Sequence, residues 1–236
     1  MRKYLVYILL FAVVLPADIF AKDARAEKYL QRYNAKCLSE KIVDNFGNGY
    51  DSLYGLRNMR TILYGVAYRG GANNFFHKTA KRDNKNPLTP DGLKHLANEG
   101  FSLGVYLYAN NFKTADAITV SDSGRDTLRY IQNSGASKEK LRKLLEEVKA
   151  IIDDPNRGPA YLHCWNGWHQ SGYVSACILR QFCGFTGEEA VEYWIKNTDG
   201  ANKGYDHIKK KILEFEPYED LKPTKERQKE ICPSCQ

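Results

Sequence analysis

This chain predicts an α/β fold: a central, mostly parallel sheet flanked by helices. Short buried-type apolar runs alternate with amphipathic helical patterns, the order expected of strands joined by helical crossovers. Several helical stretches open on capping residues and close on glycine. Near residue 160 an apolar run feeds a tight polar turn and then a helical pattern, a strand–loop–helix unit that places chemistry at a strand end.

Residues 24–46 carry Leu30, Tyr33, Ile42, Val43 and Phe46 at loosely helical intervals and read as a helical N-terminal extension. Residues 62–67 read as a strand running into Tyr68-Arg69-Gly70-Gly71, and 73–87 as a polar loop. Thr89 caps a helix with Pro90 at its first position, and Gly100 ends it. A buried strand at 103–108 and a shorter one at 117–120 follow. Ser121-Asp122-Ser123-Gly124 breaks the pattern, and 125–131 reads as a short helix.

Ser137 then caps an amphipathic helix with Leu141, Leu144, Leu145, Val148 and Ile152 on one stripe, closed by Asp153-Asp154-Pro155. After the strand–loop–helix unit, Thr186-Gly-Glu-Glu189 is a capping box opening another helix. A last helix spans about 205–215, and the tail from Pro217 reads as polar and extended.

The functional signal is Tyr161-Leu-His-Cys-Trp-Asn-Gly-Trp-His-Gln-Ser-Gly172. A helix start behind a turn aims backbone N–H groups and the positive end of the helix at whatever sits over Cys164. That favours an anion, and the thiolate over the thiol. His163, Cys164, Gly167, Ser171 and Gly172 stand in the register of the signature loop of cysteine-dependent tyrosine and dual-specificity phosphatases, which this chain resembles. The resemblance covers about 63–216, and Tyr68-Arg69-Gly70-Gly71 is similar to the entry of many bacterial and atypical dual-specificity domains.

The resemblance implies a dual-specificity-phosphatase-like fold in which Cys164 attacks phosphorus and forms a phosphocysteine. His163 holds the cysteine's surroundings and Ser171 assists thiolate departure. An aspartate on a loop before the signature serves as general acid, with Asp122 the first choice and Asp126 the second. Trp165, Asn166, Gly167, Trp168 and His169 form the substrate-binding loop.

Gln170 stands where the family has the arginine that clamps the phosphoryl group. Glutamine donates hydrogen bonds but has neither the charge nor the fork of a guanidinium. His169 and Arg69 are the two side chains that could supply a replacement cation. The expected function is binding of a phosphorylated small molecule, lipid or phosphoprotein, with phosphomonoester hydrolysis as one outcome. A catalytically inactive phosphoryl-binding or scaffolding module is the alternative, and other thiol chemistry at Cys164 a third. No cofactor and no metal site are expected; adjacent residues such as His163 and Cys164 rarely ligate one ion.

Arg2, Lys3, the apolar run 4–15 and the small residues up to Ala21 or Ala26 read as a signal peptide, with no membrane span left after cleavage. A periplasmic or secreted location follows. The chain carries 35 Lys+Arg against 28 Asp+Glu, spread along its length, which suits anionic ligands and does not form a nucleic-acid stripe. Besides Cys164 there are five cysteines; Cys232-Pro-Ser-Cys235 pairs within itself or sends one bond to Cys37. These readings divide the chain into a signal peptide (1–21), an N-terminal helical extension (22–60), a phosphatase-like domain (61–216) and a C-terminal tail (217–236).

Overall fold

A computed structural model describes residues 24–47, 49, 53, 55–72, 87–108 and 112–233. Residues 1–21, read above as a signal peptide, and most of the 73–87 loop lie outside the described residues. No helix among the described residues is long and apolar enough to cross a membrane.

Six strands form one sheet: β1 (Leu56–Leu63), β2 (Ala67–Ala72), β3 (Leu103–Tyr106), β4 (Ile118–Val120), β5 (Thr127–Gln132) and β6 (Ala160–Cys164). Their order is β1-β2-β6-β3-β5-β4. β2, β6, β3 and β5 run parallel, and antiparallel β1 and β4 close the two edges. The expected central, mostly parallel sheet flanked by helices is what forms.

Two apolar layers sandwich it. On one face lie α3 (Lys138–Asp153), α4 (His169–Cys183), α5 (Gly187–Lys196), α6 (Asp206–Leu213) and α7 (Lys225–Ile231), packed on Leu103, Val105, Ala160 and Leu162. On the other, α1 (Ala24–Tyr33) and α2 (Pro90–Asn98) cover Tyr68, Tyr106, Tyr130 and Tyr161. Helix α4 is buried nearly all round, as befits a helix at the centre of its layer. The α2 cap on Thr89, the α3 cap on Ser137 and the Thr186–Glu189 capping box are all in place.

Four expectations need correction. The single strand at 62–67 is instead a hairpin of β1 and β2 turning through Tyr64–Val66, so the domain boundary set at residue 60 falls inside β1. The extension is helical only to Tyr33; beyond it, Val43 bridges Met59 and joins the core. Residues 125–131, read as a helix, hold most of β5: Leu128 and Tyr130 pack into one layer while Ile131 packs against the opposite, helical layer, the two-residue alternation of a strand. The tail is folded, since α7 buries Ile231 and a disulfide joins Cys232 to Cys183 on α4. A bond within Cys232-Pro-Ser-Cys235 is therefore excluded. Cys37 is also disulfide-bonded, while Cys164 and Cys177 are free.

Candidate active site

Side chains alternate along β6, so Ala160, Leu162 and Cys164 point toward α4 while Tyr161 and His163 point the other way. Cys164 ends its strand at the carboxyl edge of the parallel sheet, where open α/β sheets place their ligands. Its Sγ lies 3.4 Å from Oγ of fully buried Ser171. Ser171 is the third residue of α4, inside the helix rather than at its cap, and its Oγ accepts from the Cys164 thiol.

The loop 165–168 is held from outside by β1 and β2. Asn58 Nδ2 donates to the carbonyls of Asn166 and Gly167, and Arg69 Nη2 donates to those of Gly167 and Trp168. In a trans peptide the following N–H points opposite its carbonyl. The amides of Gly167, Trp168 and His169 thus face away from the sheet edge, into the bowl of the loop. The N–H groups of Trp165, Asn166, Gly167 and Trp168 have no protein acceptor among the described residues. The Gly167 and Trp168 amides are thus both open and turned into the bowl beside a helix start, the arrangement an anion would need.

Glycine lets the loop lie this close. A Cβ on Gly71 would sit 2.6 Å from the Trp165 carbonyl oxygen, and one on Gly167 2.7 Å from the Gly70 carbonyl carbon. Gly167 also has φ +76, a conformation that side-chain-bearing residues rarely adopt.

His163 stands behind the loop, stacked with Tyr106, Tyr130 and Tyr161. Its Nδ1 is 3.2 Å from the Cys164 carbonyl and its Nε2 2.7 Å from the Tyr130 hydroxyl. The Tyr130 oxygen accepts from Leu88 N–H, leaving its proton for Nε2. The imidazole is then the Nδ1–H tautomer, donating to Cys164 O. Burial pulls its pKa from 6.5 down to about 4, so the ring is neutral at pH 7.

The neutral ring gives a signed pH effect. The unfolded chain binds the proton at higher pH, so this stabilisation is complete above 6.5 and is lost as pH falls toward 4. The loss amounts to about 3 kcal/mol. Urea unfolding at several pH values, wild type beside His163→Asn, should show that part of the acid slope vanishing in the variant; equal slopes would refute the assignment.

Several expected site residues sit elsewhere. Gln170 Nε2 donates to the Ser134 carbonyl in the β5–α3 connection. His169 stacks on Tyr205 at 3.8 Å with Nε2 against the Ala201 carbonyl, so it is no replacement cation at the loop. Arg69 is fully buried beneath the loop, donating also to the Tyr193 hydroxyl; it braces the loop and is not a substrate ligand. Trp168 turns its indole N–H to Asp199, while Trp165 remains 38% exposed at the rim. Asn166 Oδ1 accepts from Arg57.

Asp122 is corrected outright. It lies in the β4–β5 turn, salt-bridged to Lys94 and bonded to Asn98, at the amino end of β5. Cys164 is at the opposite edge of the sheet, about 20 Å away along the strand direction. Asp126 shares that turn and that fate. The β5–α3 connection at the Cys164 edge, Asn133-Ser134-Gly135-Ala136-Ser137, contains no carboxylate; the segments 73–86 and 109–111, which follow β2 and β3, lie outside the described residues. Arg57, Asn58 and Tyr130 went unnoticed in the sequence, because their partners lie far from them along the chain.

No protein-family model matches the chain. No curated protein matches it either. Among solved structures it is similar to the core catalytic domain of the PP-IP phosphatase SIW14 from S. cerevisiae in complex with citrate, at 15% identity over 68% of this chain and 86% of that one, with a TM-score of 0.45. It is also similar to Tk-PTP in the active form, at 17% identity, 64% and 92% coverage and a TM-score of 0.42. TpbA of P. aeruginosa gives 14% identity, 68% and 88% coverage and a TM-score of 0.43. The functional argument therefore rests on the Cys164 loop itself.

Proposed function

We propose that this is a phosphatase-like protein that binds a phosphoryl oxyanion over Cys164 and has lost efficient phosphomonoester hydrolysis. The observation that carries the reading is a contrast at one edge of the sheet. Open amides and the Sγ–Ser171 pair support an oxyanion seat, while among the described residues beside them there is neither a guanidinium at position 170 nor a carboxylate in the β5–α3 connection. Gln170 is neutral and bonded to Ser134, and the β5–α3 connection supplies no acid. The ligand is a phosphorylated molecule; hydrolysis through a phosphocysteine is the second reading, favoured by the Cys164–Ser171 contact.

The test measures p-nitrophenyl phosphate turnover and vanadate binding on wild type, Cys164→Ser and Gln170→Arg. Wild type should bind vanadate and show no turnover above that of Cys164→Ser. Gln170→Arg should gain about a hundredfold in rate on this substrate, because a charge-assisted donor stabilises the transition state and nitrophenolate leaves without an acid. Wild-type turnover abolished by Cys164→Ser would establish the enzyme instead, and failure to bind vanadate would end both readings.

We also propose export with removal of residues 1–21. Disulfides such as Cys183–Cys232 persist in oxidising compartments. Of the two cleavage points, Ala26 is buried, and Arg25 before it donates to the carbonyls of Ile151, Asp154 and Arg157 at the end of α3. Cutting after Ala26 would remove that clamp. The intact mass of the mature protein should correspond to a chain starting at Lys22; a start at Glu27 would contradict this.

A further inference from the structure

Beside the Cys164 loop, along the same carboxyl edge of the sheet, lies a cavity of about 550 Å³ lined by Tyr108, Gln132, Ser134, Lys140, Lys143 and Glu147, among others. Its distance from the sulfur follows from the register. Leu107 N–H donates to His163 O and Asn133 N–H to Tyr106 O, so the cavity floor is two strands from Cys164. Two inter-strand steps are about 10 Å. The two places share a wall, since the Ser134 carbonyl that accepts from Gln170 belongs to the cavity lining.

The charge of the cavity is positive. Its one carboxylate, Glu147, is held by Arg129 at 2.6 Å and Arg157 at 3.1 Å, which keep it ionised and compensated. Lys140 has no ion-pair partner among the described residues; the field of its ammonium contributes to lowering the Glu139 pKa. Lys143 pairs with Glu139, a contact between two largely exposed side chains that a stronger anion can displace. Tyr108 is 44% exposed and adds an aromatic ring to the cavity lining. The volume suits a small ligand portion rather than a protein segment.

We propose that this cavity is a second anion subsite, and that the ligand is a small molecule with two phosphate groups. One phosphate sits over Cys164; the other is taken by Lys140 and Lys143, with Tyr108 against the carbon skeleton joining them. The proposal rests on the oxyanion reading of the Cys164 loop and narrows its ligand class.

Calorimetry on the full mature protein tests it, with vanadate, glucose monophosphate and glucose bisphosphate as probes, on wild type and on Lys140→Ala/Lys143→Ala. Both substitutions lie on a helix surface, where alanine is the best helix former. Wild type should bind the bisphosphate about tenfold or more tighter than the monophosphate. The double variant should abolish that preference and leave vanadate affinity unchanged. Vanadate bound with no bisphosphate preference, or a preference that survives in the variant, overturns the second subsite alone. Absence of vanadate binding to wild type overturns the Cys164 reading and this proposal with it.

Discussion

Arg69→Ala is expected to abolish vanadate binding and to cost about 3–5 kcal/mol of stability, as removal of one partner from a buried charged network does. Arg69 is fully buried, and its guanidinium donates to the carbonyls of Gly167 and Trp168, to the Tyr193 hydroxyl and, at 3.5 Å, to the Asn197 carbonyl. Truncation removes the charged donor from these acceptors, leaving the Gly167 carbonyl with Asn58 alone and the Trp168 carbonyl with the Gly172 N–H alone, and empties a buried space between β2 and α4. It also frees the peptide planes whose N–H groups face the bowl, so binding and stability fall together. Removing a positive neighbour gives a partial offset, because Arg69 is the second cause, after burial, that pulls Arg60 down to about 10.

Arg69→Lys separates bracing from charge. An ammonium has three donors on a single atom and lacks the planar, two-nitrogen spread that reaches Tyr193 and the loop together, so this variant should keep more stability than alanine and still bind vanadate weakly. For a domain of this size, each kcal/mol shifts Tm by about 2–4 °C. A Tm and a vanadate affinity both like wild type in Arg69→Ala would show that the loop needs no brace.

The second large effect is expected at Cys183–Cys232, which closes a loop of 49 residues. Serine at both positions should cost about 2–4 kcal/mol, mainly by releasing the unfolded chain from that constraint. The link fastens α7, whose Ile231 carbonyl accepts from Tyr64 N–H and whose Arg227 donates to the Ile152 carbonyl. None of these contacts touches the Cys164 loop, so vanadate affinity should be retained. Urea midpoints of the double-serine variant, preferred to reductant because Cys37 is also bonded, decide the matter. An unshifted midpoint would mean that α7 holds its place without the covalent tie.

The Cys164 loop was legible in the sequence because its elements are contiguous: an apolar run, a glycine turn and a helix start. So were Thr89, Ser137 and Thr186 as caps, and the α3 stripe. What misled lies where short segments are ambiguous or where partners are distant. Thr127–Gln132 is a six-residue strand with only Leu128, Tyr130 and Ile131 turned to its two packed layers, too short for periodicity to separate from a helix turn. Reading it as a helix moved Asp122 to the wrong end of the sheet. The tail carries little apolar residue beyond Leu221 and Ile231, and cysteine spacing alone does not reveal a bond from Cys232 back to Cys183. Arg69 looked like a reaching cation because no local signal announces burial.

The close approach at Gly71 and Gly167 means that main chain rests on main chain under the loop, with no side chain between. A receptacle shaped in that way owes its form to two missing methyl groups more than to the identity of the residues around its mouth. The contour of the loop is therefore set by main-chain packing and does not depend on the side chain at a position such as 170.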